Sequence, residues 1–185
     1  MINITKEQLK AIMPMTTNYQ IVSFHVPLLE TMERFKINNK ERKCAFLAQL
    51  AHESGCLRYV VELASGDAYT NRADLGNTQP LAIQIAESKG TNTGRLYKGR
   101  GLIQITGFYN YQKLGEYFGQ DFIHEPKMLE QPKWATMSAG WFWESRNLNH
   151  LADQKKFKTI TKLINGGLNG YNDRLYYYER AWQVL

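Results

Sequence analysis

The chain has 185 residues, 43% of them hydrophobic and 22% charged, and carries a net charge of +6. That length suits one domain, and the apolar fraction is enough to bury a core, which excludes a disordered chain. The positive charge favours an anionic partner, but the cations are scattered, as in Lys40, Arg42, Lys43 and Lys155, Lys156, Lys158, and no arginine-rich arm, zinc-finger spacing or RNA-binding signature accompanies them, so nucleic acid is not an expected partner.

The N-terminal stretch MINITKEQLKAIM lacks a basic segment followed by a long apolar run, and no stretch reaches the ~18 apolar residues of a membrane helix. Neither a secretion signal nor stable membrane insertion is expected. Thr5, with Gln8 three residues on, forms a capping-box pattern that starts a helix. Ile21, Val22, Phe24, Leu28, Leu29, Met32 and Phe35 make one helical stripe over Tyr19–Phe35, with Pro27 as a kink or break. Asn39 can cap the next helix. There Cys44, Leu47, Ala48 and Ala51 recur at three and four, Phe46 and Leu50 widen the face, and Gly55 is the stop. Were that helix continuous to Cys56, the two cysteines would lie about 18 Å apart at ~1.5 Å per residue, far beyond disulfide reach. Free thiols are expected, as in a reducing cytosol.

From Glu62 to Arg100 the periodicity fails. ASGDAYTNRADLGNTQP and SKGTNTGR are loop by composition, with LAIQIAE between them as a short helix. LIQIT, Leu102–Thr106, is the best strand candidate. Helices return after Gly107. Tyr111, Leu114, Tyr117 and Phe118 share one face; Pro132 starts a helix through Met137, Trp141 and Trp143; Phe157, Ile160, Leu163 and Ile164 mark another. NGGLNGYND is a turn cluster, and RLYYYERAWQVL closes the chain as a helix. Its basic, aromatic character would also suit an anionic membrane surface, although a Tyr-rich face is more often core. The whole reads as a mainly α fold: a single α-rich domain, residues 1–185, with a cleft and at most a very short β element. Residues 1–38 form its N-terminal helical part.

The stretch LAQLAHESGCLRYVVE places Glu53 at a helix C-terminus, where the macrodipole disfavours a negative charge. Metal is a poor explanation. Position 56 is Cys rather than the second His of a zincin, and His25, His52, His124 and His150 are dispersed. Ser54 lies in no nucleophile elbow, and GRGLIQ lacks the lysine of a phosphate-binding loop. Neither metal nor cofactor is expected. Paired carboxylates remain. Hydrolysis of a glycosidic bond needs one carboxylic acid to protonate the leaving oxygen and a second carboxylate to activate water or attack the sugar. A helix end that disfavours charge suits the acid, Glu53, and a short connection could bring Glu62 to an opposite wall. The plain alternatives are a solvated helix-end carboxylate and a surface residue. The chain's Tyr and Trp content suits sugar stacking as well as core packing.

AHESG, Glu62 and YKGRGLIQITGFYNY (Tyr97–Tyr111) resemble glycoside hydrolase family 19, the chitinase-like group that includes many phage endolysins. DLGNTQP (Asp74–Pro80), SAGWFWESRNLN (Ser138–Asn149) and TKLINGGLNGYNDR (Thr161–Arg174) resemble its bacterial and phage branch. The resemblance spans residues 39–185. It implies a lysozyme-like fold and an inverting mechanism, with Glu53 as general acid and Glu62, matched by position, as general base. It also implies that Thr106 helps hold the water and that Gln104, Tyr109, Asn110, Asn165 and Arg174 line sugar subsites. Local packing is the alternative for Gln104, Tyr109 and Asn110; a helix cap and a surface ion pair are the alternatives for Asn165 and Arg174. Arg100 reads as a structural clamp or as a cation beside the base. LAIQIAESKGTNTGRL (Leu81–Leu96) replaces a shorter link in relatives.

The expected function is that of a peptidoglycan-degrading endolysin cutting β-1,4 bonds. The expected setting is a monomer made in a bacterial cytoplasm and released to the wall by a holin or a secretion machine. A chitinase, an antibacterial wall-cleaving effector, a lytic transglycosylase and a non-catalytic wall-binding module are the other readings.

Overall fold

A computed structural model describes residues 3–185. Its α-helices are α1 Lys6–Ile12, α2 Asn18–Arg34, α3 Lys40–Glu53, α4 Pro80–Ser88, α5 Thr93–Leu96, α6 Phe108–Phe118, α7 Pro132–Ser145, α8 Leu148–Asp153, α9 Phe157–Asn165 and α10 Tyr171–Val184. The mainly α expectation holds. Among the described residues the β structure is two isolated bridges, Val61 with Arg100 and Arg100 with Ile105. The chain divides into two compact units, residues 1–59 with 139–185, and residues 60–138.

The first unit is built on α3. Asn39 caps it, accepting a bond from the Arg42 amide at 2.8 Å. Every residue from Cys44 to Ala51 is buried, so α3 is enclosed on all sides and packs along α10. Thr5–Gln8 and Thr17–Gln20 both form reciprocal capping boxes at the starts of α1 and α2. Pro27 neither breaks nor ends α2, which runs seventeen residues through it. Trp143 of α7 is fully buried, edge-on to Phe46 at 5.3 Å. Helix α8 has no counterpart in the sequence pattern. It is six residues long, too short for a periodic stripe to show. Leu163, expected in the core, is exposed. Both cysteines are buried and unpaired, and burial pushes the Cys44 thiol up to about 11.

The second unit corrects two expectations. LIQIT is not a strand but a tight turn. The Arg100 and Ile105 backbones bond to each other at 3.1 and 2.7 Å, and Leu102 and Ile103 turn into the core. The β-branched residues that suggest a strand are simply apolar plugs here. Residues 62–100 form the body of this unit: two 3-10 turns, Asp67–Tyr69 and Ala73–Leu75, and the short α5 stand where composition reads as loop, while α4 is the short helix expected at LAIQIAE. Helix α4 buries Ala82, Ile85 and Ala86, and polar side chains hold the turns around it. Asn77, fully buried, donates to Tyr69 O at 2.8 Å and accepts from the Phe108 amide at 3.0 Å. Tyr117, expected on the buried face of α6, is exposed. No helix among the described residues is long and apolar enough to cross a membrane.

Candidate active site

Glu53 is the last residue of α3. The backbone just beyond it is unusual: Gly55, Cys56 and Leu57 all have positive φ, at 56°, 59° and 64°. Left-handed backbone costs a non-glycine residue roughly 1–2 kcal/mol, so two such residues in sequence need strong local support. Ser54 supplies it. Its buried hydroxyl donates to Leu50 O at 2.6 Å and accepts from the Leu57 amide at 2.8 Å, while its carbonyl accepts from the Arg58 and Tyr59 amides. Cys56 and Leu57 are then plugged into the core, with Cys56 Sγ 3.3 Å from the Tyr177 hydroxyl. The serine of His-Glu-Ser is thus a hinge pin and not a nucleophile.

The partner of Glu53 is Arg174 of α10, whose Nη2 lies 2.6 Å from Glu53 Oε1. The contact is an ion pair off hydrogen-bond geometry, and Oε1 is buried without accepting a formal bond. Arg174, expected to line a sugar subsite, lies beneath Glu53. Its side chain is 1% exposed, whereas that of Glu53 is 22% exposed. Arg174 instead anchors Glu53 from below: Nη1 donates to Gln49 Oε1 at 2.5 Å, and Gln49 donates to Thr161 at 2.9 Å. His52 is pinned as well, its Nδ1 2.6 Å from Asp173 and its ring against Gly170, where a Cβ would collide with Cε1. Asn165 ends α9 before the left-handed Gly166. It is half-buried and donates weakly to Asn169 O at 3.3 Å.

Glu62 belongs to the second unit and is half-buried. The Tyr69 hydroxyl donates to Oε1 at 2.9 Å and the Gly99 amide to Oε2 at 3.1 Å. The Glu62 backbone pairs with Gly99, and Lys98 Nζ caps the Glu62 and Ala64 carbonyls at 2.9 Å each. Burial, and next the Glu62 carboxylate, push the Tyr69 hydroxyl above its ordinary range; it therefore stays a donor. Gln104, exposed, lies over Gly99, where a Cβ would meet Oε1 at 2.8 Å. Thr106 Oγ1 donates to Gln104 O at 3.2 Å, and Asn110 donates to Thr106 O at 2.7 Å. Tyr109 packs flat on Gly76 and accepts from Gln79 at 2.6 Å. Gln104, Thr106 and Asn110 therefore form one bonded group, and Tyr109 is held from Gly76 and Gln79. Arg100 is a clamp: it is buried, with Nε on Glu130 at 2.8 Å and Nη1 on Leu96 O and the Tyr111 hydroxyl.

Sequence reasoning misses Tyr69, Asn77 and Gln49. Tyr69 lies in a stretch that reads as loop, and Gln49 is one polar residue on a buried helix. A lone amide inside the otherwise apolar run Cys44–Ala51 is the signal that could have found it. Asn77 stands inside DLGNTQP, but nothing in that motif gives its partners.

Residues 23–154 match the family model described as class I chitinase, that of glycoside hydrolase family 19. The chain belongs to glycoside hydrolase family 19. An Arabidopsis thaliana endochitinase is 36% identical over 129 residues, covering 69% of this chain and 40% of that protein. A Haemophilus influenzae protein described as containing a glycosyl hydrolase family 19 domain is 28% identical over 186 residues, covering 90% and 88%. The chain spans about 40% to half the length of the plant relatives it matches. Its fold is that of chitinase C from Streptomyces griseus, with a TM-score of 0.77 at 21% identity over 98% of this chain and 76% of that one. A bacterial family 19 chitinase aligns with a TM-score of 0.76 at 22% identity, covering 98% and 94%.

Proposed function

We propose that this family 19 chain hydrolyses β-1,4 glycosidic bonds of peptidoglycan with inversion. The carrying observation is the pair of partly exposed carboxylates, each fixed within its own unit by named side chains. Glu53, with Oε1 committed to Arg174, presents Oε2 as the proton donor. That proton goes to the leaving glycosidic oxygen as the bond to the anomeric carbon breaks. Glu62, held by Tyr69 and Gly99, takes a proton from the water whose oxygen forms the new bond, so two products result and both carboxyls reset through solvent. Inversion calls for roughly 6.5–9.5 Å between the carboxyl groups, leaving room for that water. Thr106 helps orient the water, and Gln104, Tyr109, Asn110 and Asn165 contact sugar hydroxyls and faces. Arg174 acts through Glu53 as a positioning residue.

The net charge of +6 supports an acidic wall polymer, and near full-length coverage of the Haemophilus influenzae relative supports a compact bacterial enzyme. Release to the wall by a holin or secretion machine, and action as a monomer, complete the proposal. A chitinase is the second reading, favoured by the endochitinase names of the plant relatives. Purified peptidoglycan and colloidal chitin, digested in parallel and followed by mass spectrometry, decide between them. Reducing-end fragments from peptidoglycan are expected, and activity on chitin alone would overturn the substrate. Anhydro ends would replace hydrolysis by transglycosylation. Glu53→Gln, which keeps the shape and removes the acid, is expected to lower turnover by about 10²–10⁴-fold with the fold intact. Full activity in that variant would leave only a wall-binding module.

A further inference from the structure

The C-terminal half of α10 carries a feature the carboxylates do not explain. Tyr178 and Trp182 stack at 6.1 Å, Phe157 stacks on Tyr178 at 4.4 Å, and Tyr171 lies 6.2 Å from Phe157. Beside this aromatic column is a pocket of about 430 Å³ lined by Lys155, Tyr178, Glu179, Trp182 and Gln183. Two ammonium groups lie over the Trp182 ring, Lys40 Nζ at 5.0 Å and Lys155 Nζ at 5.6 Å. Trp182 is eight residues beyond Arg174, about 12 Å along the helix at ~1.5 Å per residue. All these residues belong to the first unit.

Lys155 is the informative residue. It comes just after α8 with φ 56°. Its amide bonds to Ala152 O at 2.8 Å and the Lys156 amide to Leu151 O at 2.9 Å, the paired bonds of a helix end whose left-handed position is normally glycine. A side chain here costs roughly 1 kcal/mol or more of backbone strain. Holding a lysine in that place sets its ammonium over Trp182, the ring that Lys40 also approaches. The ring fixes both cations by cation–π attraction while their N–H groups remain available.

We propose that this pocket is a second polymer-binding site, which takes the carboxylate-bearing side groups of peptidoglycan. The choice of polymer rests on the proposed function; the anionic class rests on the two ammonium groups. A carboxylate pairs with Lys155 in the pocket wall, Lys40 adds its charge from the rim of the same ring, and the apolar body of the side group lies against Tyr178 and Trp182. Glu179 and Gln183 accept from and donate to its amides. A membrane surface suits this place less, because Tyr178 and Trp182 are half-buried and stacked on each other and do not project as an apolar face.

The test is co-sedimentation of the full chain with insoluble peptidoglycan, in a Glu53→Gln background that prevents digestion. Lys155→Gly removes the ammonium and gives the backbone the residue its φ favours, so the melting temperature is expected to hold or rise. Binding is expected to weaken about threefold in Lys155→Gly and further in Lys40→Gln/Lys155→Gly, as for exposed charge contacts. With Glu53 restored, turnover of short soluble glycan fragments is unchanged. Unchanged sedimentation of the double variant overturns the site. An equal loss of binding to uncharged chitin overturns the acidic occupant. A loss confined to phosphatidylglycerol vesicles replaces the polymer with a membrane. Lysine-dependent binding without any cleavage by the Glu53 protein would sink the proposed function and leave this site standing.

Discussion

Glu53 and Glu62 stand nine positions apart and are held by opposite means. Glu53 closes a helix buried on all sides, and its partner is a buried cation from the far end of the chain. Glu62 lies in irregular backbone and is held by hydrogen bonds from Tyr69 and Gly99 of its own unit. Tertiary packing places the first, and turn chemistry places the second. Only Oε1 of Glu53 is buried, against the Arg174 cation, so removing that cation leaves this oxygen facing a dry interior with no partner. A half-buried carboxylate with neutral donors loses one and turns to water. The two carboxylates are therefore expected to respond very differently to removal of what holds them.

Arg174→Met is the sharpest way to break that contrast. It strips the cation from beneath Glu53 and also leaves Gln49 Oε1 without its donor. Loss of one buried partner costs about 3–5 kcal/mol, so the melting temperature should fall by more than about 6 °C. Adding Glu53→Gln removes the stranded charge, and the double variant should regain part of the loss. Calorimetry showing no recovery would mean that Arg174 stabilises α10 by itself and does not serve Glu53.

Gly76→Ala is the matching strike on the second unit. A Cβ there would sit 2.6 Å from the Tyr109 ring on a backbone with φ +75°. The expected cost is about 1–2 kcal/mol, smaller because Tyr109 is partly exposed and can swing aside. The displaced ring then weakens substrate binding, raising KM more than it lowers kcat. A variant with wild-type stability and KM would show that Tyr109 neither packs here nor contacts the glycan.

Tyr69→Phe tests the gentler half of the contrast. Glu62 keeps the Gly99 amide and loses the hydroxyl. Turnover is expected to fall about tenfold through a misplaced base, with a change in stability below about 1.5 kcal/mol. If stability collapsed instead, Tyr69 would be a keystone of the second unit and the distinction between packing and turn chemistry would fail.

The same contrast explains what can be read in the sequence. Thr5, Thr17 and Asn39 sit where their caps form because a helix start is a local event within four residues; two of them, Thr5 and Asn39, are expected from the sequence. Glu53 at the end of α3 is legible from one periodic run and one glycine. Its partner is not: nothing near Arg174 in NGYNDR distinguishes a buried anchor from a surface cation, since burial is decided by how α3 and α10 pack. The second unit is hard for the opposite reason. Asn77, Tyr69 and Asn92 are satisfied by bonds from side chain to backbone and from side chain to side chain, and such bonds leave no hydrophobic period. Gly, Asn, Asp and Thr announce that the chain turns without saying that the turns interlock.

Acid titration gives the smallest and most local comparison. Each unit has an exposed aspartate tying two segments together. In the first, Arg42 and Asn39 at the start of α3 donate to Asp153 of α8. In the second, Arg95, Asn92 and Ser65 donate to Asp67. Arg42, before any other group, holds the Asp153 carboxyl below its usual 3.8. Arg95, then Asn92 and Ser65, hold Asp67 lower still. A folded value below the unfolded one means that the contribution is complete above the usual carboxylate range. It is lost as pH falls through that range toward the folded value. Hydrogen exchange between about pH 6 and 2.5 should therefore show protection near Asn39–Arg42 and Ala152–Gln154 declining before protection near Asn92–Leu96. Asp153→Asn should flatten the first decline and leave the second untouched. Both aspartates are solvent-exposed, so screening keeps the effects small, and about 1 M salt should erase most of them. A decline in both regions at one pH, unaffected by Asp153→Asn, would mean that the Asp153 contacts do not set the acid limb.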